Sequence, residues 1–116
     1  MKVATTLLSF LVCSALAFSA TIYVPDNYAT IQGAIDASVN GDVVIVRPGT
    51  YVENIDFVGK EIAVQSEQGA TVTAIDGNQA GSVVKFKSGE ELDSVLNGFT
   101  VTNGNSVGGG GGIRCI

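Results

Sequence analysis

The sequence predicts an all-β fold of very short strands, and within that class it favours a parallel β-helix over a small sandwich or barrel. Three observations carry this. One amphipathic segment stands near the front, and only strand-like segments follow it. Those segments run three to six residues, and most alternate apolar with polar side chains, the period of two that places one set on one face. The corners between them are rich in glycine, yet almost none has the two-residue form that joins antiparallel strands. Asp76-Gly77 comes nearest, but its turn runs on to Gly81. A sandwich or barrel asks for strands of about 5–6 residues joined by hairpins. A solenoid asks for short strands, irregular spacing and a lid over its open end, which a helix ahead of the run of strands supplies.

Taken in order, residues 1–17 read as a secretory signal. Lys2 supplies the positive start, Val3 to Leu16 is apolar apart from Thr5, Thr6, Ser9 and Ser14, and Ala15-Leu16-Ala17 gives the small-x-small cleavage pattern. Cleavage is expected after Ala17, with Ser19 and Ala20 as later alternatives. The apolar run is short for a bilayer span, which needs roughly 20 residues. Cys13 follows the bulky Val12, against a lipoprotein signal. Removal of the leader leaves 99 residues, one small domain at most. It also removes Lys2, so the net charge of −5 becomes −6. The remaining cations, Arg47, Lys60, Lys85, Lys87 and Arg114, are scattered. Nucleic acid is therefore excluded as a partner, because phosphate recognition needs clustered positive charge.

The helix is expected over Thr30 to Gly41, with Ile31, Ala34, Ile35, Ser38 and Val39 forming one stripe. Thr30 suits the N-cap and Asn40-Gly41 a left-handed stop. Val43 to Val46 is an unbroken β-branched run, the pattern of a strand covered on both faces. Arg47-Pro48-Gly49-Thr50 then turns the chain. Beyond it, alternation assigns Ile62 and Val64, Val84 and Phe86, Phe99 and Val101, and Ile113 and Cys115 to inward faces. Corners are expected at Val58 to Lys60, Gln68 to Ala70, Asp76 to Gly81, Ser88 to Glu90 and Asn103 to Asn105. Residues Asn54, Asn97 and Asn103 fall at or beside corners, either as a stacked ladder or simply because asparagine suits turns.

Two stretches carry a family resemblance. Thr21-Ile-Tyr-Val-Pro-Asp-Asn-Tyr-Ala-Thr-Ile-Gln-Gly-Ala-Ile-Asp36 and Gly41-Asp-Val-Val-Ile-Val-Arg-Pro-Gly-Thr-Tyr-Val-Glu-Asn54 resemble the cap and first coil of the right-handed parallel β-helix, or pectin lyase-like, superfamily. Residues Thr71 to Gly77, Leu96 to Gly104 and Gly110 to Cys115 are similar to coils that follow in secreted and surface members. The resemblance covers residues 21–116. It implies a right-handed solenoid with Ile31, Ile35 and Val39 lying over the first coil. It does not imply one activity, since unrelated functions share the fold.

Chemistry is sparse. The absence of histidine removes His-based triads, dyads and the usual zinc sites. Glu90, Glu91 and Asp93 form the densest acidic cluster, but neighbouring residues of an extended segment face opposite ways, so a solvated loop is expected rather than a carboxylate pair or a cation site. Asp36, Asp42 and Asp56 read as surface or turn residues. Tyr23, Tyr28, Tyr51, Phe57, Phe86 and Phe99 form no visible sugar-stacking strip; Phe86 and Phe99 read as core, and Tyr51 as packing at the Pro48-Gly49 corner. Gly108 to Gly112 lack the lysine of a phosphate loop and the aspartate of a calcium-binding repeat. No residue is nominated as catalytic, cofactor-binding or metal-ligating, and no cofactor is expected. The expected function is a secreted or cell-surface module that contacts glycan, mediates adhesion or acts as a scaffold, without catalysis in these residues. The alternative is the front of a polysaccharide lyase, pectin esterase or glycosidase whose active-site coils lie further on. Asn103 to Cys115 reads as a corner opening a new coil, so continuation past Ile116 is expected. An uncovered last coil would leave Ile113 and Cys115 without their burial, about 1.5–3 kcal/mol for a full-sized apolar side chain, and end-to-end self-association would follow.

Overall fold

The computed structural model describes residues 19–86, 94–105 and 111–115. The expected leader (1–17), the acidic cluster of Glu90, Glu91 and Asp93, the Ser88 to Glu90 corner and most of the glycine run lie outside them.

The described chain is strand-rich with one short helix. Its elements are β1 (Thr21–Val24), α1 (Ile31–Ala37), β2 (Val43–Val46), β3 (Gly49–Val52), β4 (Ile55–Asp56), β5 (Ala63–Ser66), β6 (Thr73–Asp76), β7 (Val84–Phe86), β8 (Val95–Asn97), β9 (Thr100–Thr102) and β10 (Ile113–Cys115). They form three sheets, ordered β1-β2-β5-β8, β3-β6-β9 and β4-β7-β10. Every pairing is parallel, so no hairpin forms at Asp76-Gly77. From β2 onward the chain visits the three sheets in fixed rotation and returns to each at every third strand.

In-register stacking makes the core. Val24, Val46 and Val44, Val64 occupy inward positions on neighbouring strands of the first sheet, and all are fully buried. Ile75, Ile55 and Val84 fill the other two walls. Phe57 and Phe86 stack inside, ring centroids 4.4 Å apart and tilted by 31°. Phe99, Val101 and Leu96 pack against this cluster and are partly buried. Gly77 lets two segments pass closely: a Cβ there would stand 2.7 Å from Val83 and 2.9 Å from the Asn103 carbonyl.

Helix α1 lays Ile31, Ala34 and Ile35 on the core. Thr30 caps it as expected, its hydroxyl accepting from Gly33 N at 3.0 Å. A seven-residue helix is too short to persist alone, and side chains from the connections after β3 and β4 hold both ends. Glu53 accepts from Ile31 N at 2.8 Å and from Gln32 N at 3.0 Å, placing a carboxylate on the helix N-terminus. Lys60 Nζ donates to the carbonyls of Ile35, Asp36 and Ser38, each at 2.8 Å.

Several expectations need correction. The helix stops at Ala37, and Val39 lies off the stripe at 63% exposure. The chain is already extended at Ser38, and Asp42 Oδ2 accepts the Val39 N–H at 2.9 Å, which draws that residue away from the core. Gly41 does take a positive φ of 95°, but in the turn into β2 rather than at the helix end. Strand β2 is fully buried on one face only; Val43 and Ile45 are half-buried. Val83, which the alternation of Val84 and Phe86 would set on the outward face, precedes β7 and is buried like Val84. By contrast, Ile113 and Cys115 stand in register with Val84 and Phe86, as alternation assigns them, and they are exposed, the loss of burial expected for them. The three asparagines have other partners than one another: Asn54 Nδ2 donates to Ser82 O at 3.1 Å, Asn103 Nδ2 to Asp76 Oδ1 at 3.1 Å, and Asn97 lies in β8 opposite Gln65.

Candidate functional site

The turns that leave β1, β2 and β5 bring three distant charges together. Register explains this: Val24, Val46 and Ser66 stand side by side at the strand ends, so the residues just beyond them also align. Arg47 Nε donates to Asp26 Oδ1 and Arg47 Nη1 to Glu67 Oε2, both at 2.7 Å. The guanidinium lies 4.8 Å from the centre of the Tyr23 ring, a cation–π distance. The Tyr51 hydroxyl donates to the Arg47 carbonyl at 2.8 Å. Two tyrosines and three charges thus form one surface platform.

The electrostatics favour fixed charge. The hydrogen bond from Arg47, aided by its charge, holds the Asp26 carboxyl below the usual aspartate range against a smaller desolvation effect. The same bond raises Arg47. Burial, with the charges of Asp26 and Glu53 behind it, pushes the Tyr51 phenol up, so it stays a donor. General acid catalysis needs the opposite, a carboxyl whose affinity for protons is raised towards the working pH. The platform offers an aromatic face and oriented polar atoms, which suit recognition of a hydroxyl-rich surface.

The pH dependence follows from sign. A depressed folded value means the Asp26 contribution is present above the ordinary aspartate range and is lost as pH falls through the depressed value. Replacing Arg47 with methionine should move the Asp26 titration midpoint, followed by carboxyl NMR shifts, upward towards the ordinary range. Added salt should shrink the difference, because these groups are solvent-exposed.

Asp36, Asp42 and Asp56 have structural work. Asp42, 4% exposed, accepts from Ala20 N at 2.8 Å and Val39 N at 2.9 Å, tying the entry of β1 to the end of α1. Asp36 accepts from Gln32 Nε2 at 2.9 Å, and Asp56 Oδ1 closes a turn on Val58 N at 2.8 Å. Tyr28 is exposed, whereas Phe57 is core. An open depression of about 430 Å³ lies beside β2, lined by Asn40, Gly41, Asp42, Val43, Glu61 and Ala63. Its Asp42 carboxylate is already committed to backbone. Among the described residues, no group of three or more His, Cys, Asp or Glu is placed to hold a metal ion, and no helix is long and apolar enough to cross a membrane.

Sequence reasoning missed the Asp26–Arg47–Glu67 row and treated Arg47 as a scattered cation. The available signal was spacing: the partners lie 21 and 20 residues from Arg47, matching the return of the chain to the first sheet. Comparison with protein-family models, with curated proteins and with solved structures gives no match to this chain.

Proposed function

We propose that the three-sheet circuit is the cap and opening coils of a right-handed parallel β-helix of the pectin lyase-like kind, working as a secreted or cell-surface module that contacts glycan. The parallel rotation among three sheets supports the solenoid, and the strong rule for parallel crossovers supports the right hand. The Tyr23–Arg47 platform carries the functional reading: it presents a rigid aromatic face beside the Asp26 carboxylate, whose charge is held by Arg47, a surface for binding rather than for proton transfer. Adhesion or scaffolding uses the same rigid wall.

Tests address each part. Expression with residues 1–17 in a secreting host should deliver a chain that starts at Phe18, read by N-terminal sequencing. In affinity electrophoresis through gels containing soluble polysaccharides, including pectin, the mature chain should be retarded. Tyr23→Ala should lose most of that retardation while keeping the wild-type circular dichroism. Neither protein should release unsaturated or reducing ends from pectin; turnover by the purified chain would favour the polysaccharide-degrading alternative. No retardation by any polysaccharide would remove the glycan reading.

A further inference from the structure

The outermost strand of a parallel sheet turns alternate N–H and C=O groups towards solvent, and such an edge templates the addition of a strand from another chain. Three strands form the leading edges of the sheets here: β1, β3 and β4. On β1, the Ala20 and Val24 carbonyls accept from Val43 N and Arg47 N of the β2 segment, so the central outward groups belong to Tyr23. Both are occupied. Asn27 Oδ1 accepts from Tyr23 N at 2.8 Å, and Asn27 N donates to Tyr23 O at 2.7 Å. On β4, Ile55 N and Phe57 N donate to the carbonyls of Val83 and Lys85, which turns Asp56 outward. Its groups are occupied as well. Gln32 Oε1 accepts from Asp56 N at 2.7 Å, and Gln32 Nε2 donates to Asp56 O at 3.0 Å. In each case one residue does what a neighbouring strand would do.

We propose that Asn27 and Gln32 are edge stoppers, which occupy the outward backbone groups of Tyr23 on β1 and of Asp56 on β4 and so hinder strand addition from a second copy at this end of the molecule. The strands that would add are β8 and β10 of another molecule, which stand at the opposite edges of the same two sheets among the described residues. The helix does not depend on the Gln32 carboxamide for its position, because Glu53 and Lys60 hold its two ends independently. Asn27 sits on an exposed turn and touches Tyr23 through both its side chain and its backbone. The third edge, β3, stays open at Thr50 and Val52, with Val52 62% exposed. A lone pair of short strands is at best marginal in water, so closing two edges of three suffices. Head-to-tail propagation through β1 and β4 is thereby hindered.

The test uses sedimentation velocity over a concentration series, with amide hydrogen exchange read at Tyr23 and Asp56. The Asn27→Ala/Gln32→Met double variant is expected to form larger, concentration-dependent assemblies than wild type. Its Tyr23 and Asp56 amides should lose protection when dilute and regain it in the assembly, which a merely structural role would not produce. Asn27→Asp keeps the acceptor for Tyr23 N and should behave as wild type. A folded double variant that sediments like wild type throughout overturns the proposal. So do assemblies in which both amides still exchange freely. Should Gln32→Met fail to fold, Asn27→Ala alone decides the matter at β1 by the same two readouts.

Discussion

Phe57→Ala is expected to lower stability by about 3–5 kcal/mol, the range for emptying an aromatic site in a packed core. The ring is fully buried and stacks on Phe86 at 4.4 Å. Its loss removes partner atoms both from Phe86 and from the wall where β4 meets β7. Small domains hold only about 5–15 kcal/mol in total, so this change approaches the whole reserve. With a urea slope of about 1–3 kcal/mol per molar, the midpoint should fall by at least 1 M. Phe57→Leu should cost clearly less, since most of the volume is retained. A cost below about 1 kcal/mol for the alanine variant would mean that the site collapses around the gap and that Phe57 does not anchor the core.

Asp42→Ala should come next, at about 3 kcal/mol, because a buried carboxylate that accepts two backbone bonds leaves two donors without partners. Those donors are Ala20 N and Val39 N. Asp42→Asn should recover part of the loss, since one carbonyl oxygen remains while the amide NH₂ meets a second donor. Urea unfolding gives the ranking Asp42, then Asn, then Ala. Hydrogen exchange gives the location: protection should fall at Ala20 and Val39 before it falls in β5. Equal stability of all three would show that solvent replaces the carboxylate at no cost.

Both changes strike residues that the sequence presents unevenly. Phe57 shares with Ile55 the spacing of two that marks an inward pair, a local signal read at the other strands and not here. Asp42 reads as an ordinary turn residue, because nothing beside it in the chain announces that it will face Ala20 and Val39. The same contrast runs through the candidate site. Tyr51 packs at the Pro48-Gly49 corner as its neighbours imply. Tyr23, Asp26, Arg47 and Glu67 become one platform only because β1, β2 and β5 stack in register. The motif residues Gln32 and Glu53 carry a family resemblance in sequence, and the structure gives them physical roles: one satisfies the edge of β4, the other neutralises the start of α1.

The sequence by itself determined the strand-rich character, the single helix with Thr30 as its cap, the positions of most corners and most of the inward side chains. These depend on period, propensity and turn chemistry, which act over a few residues. It could not determine where the helix stops, since that is decided by Lys60 and Asp42 from other parts of the chain. Nor could it reveal that Val39 leaves the core, or which charges meet at Arg47. The tertiary structure decided those. The Asp42 bond that draws Val39 away spans only a short turn. The reach of Lys60 to the helix end and the charges that meet at Arg47 depend on how many residues a circuit takes before it returns to the same sheet. That number sets the register, and the register chooses the partners.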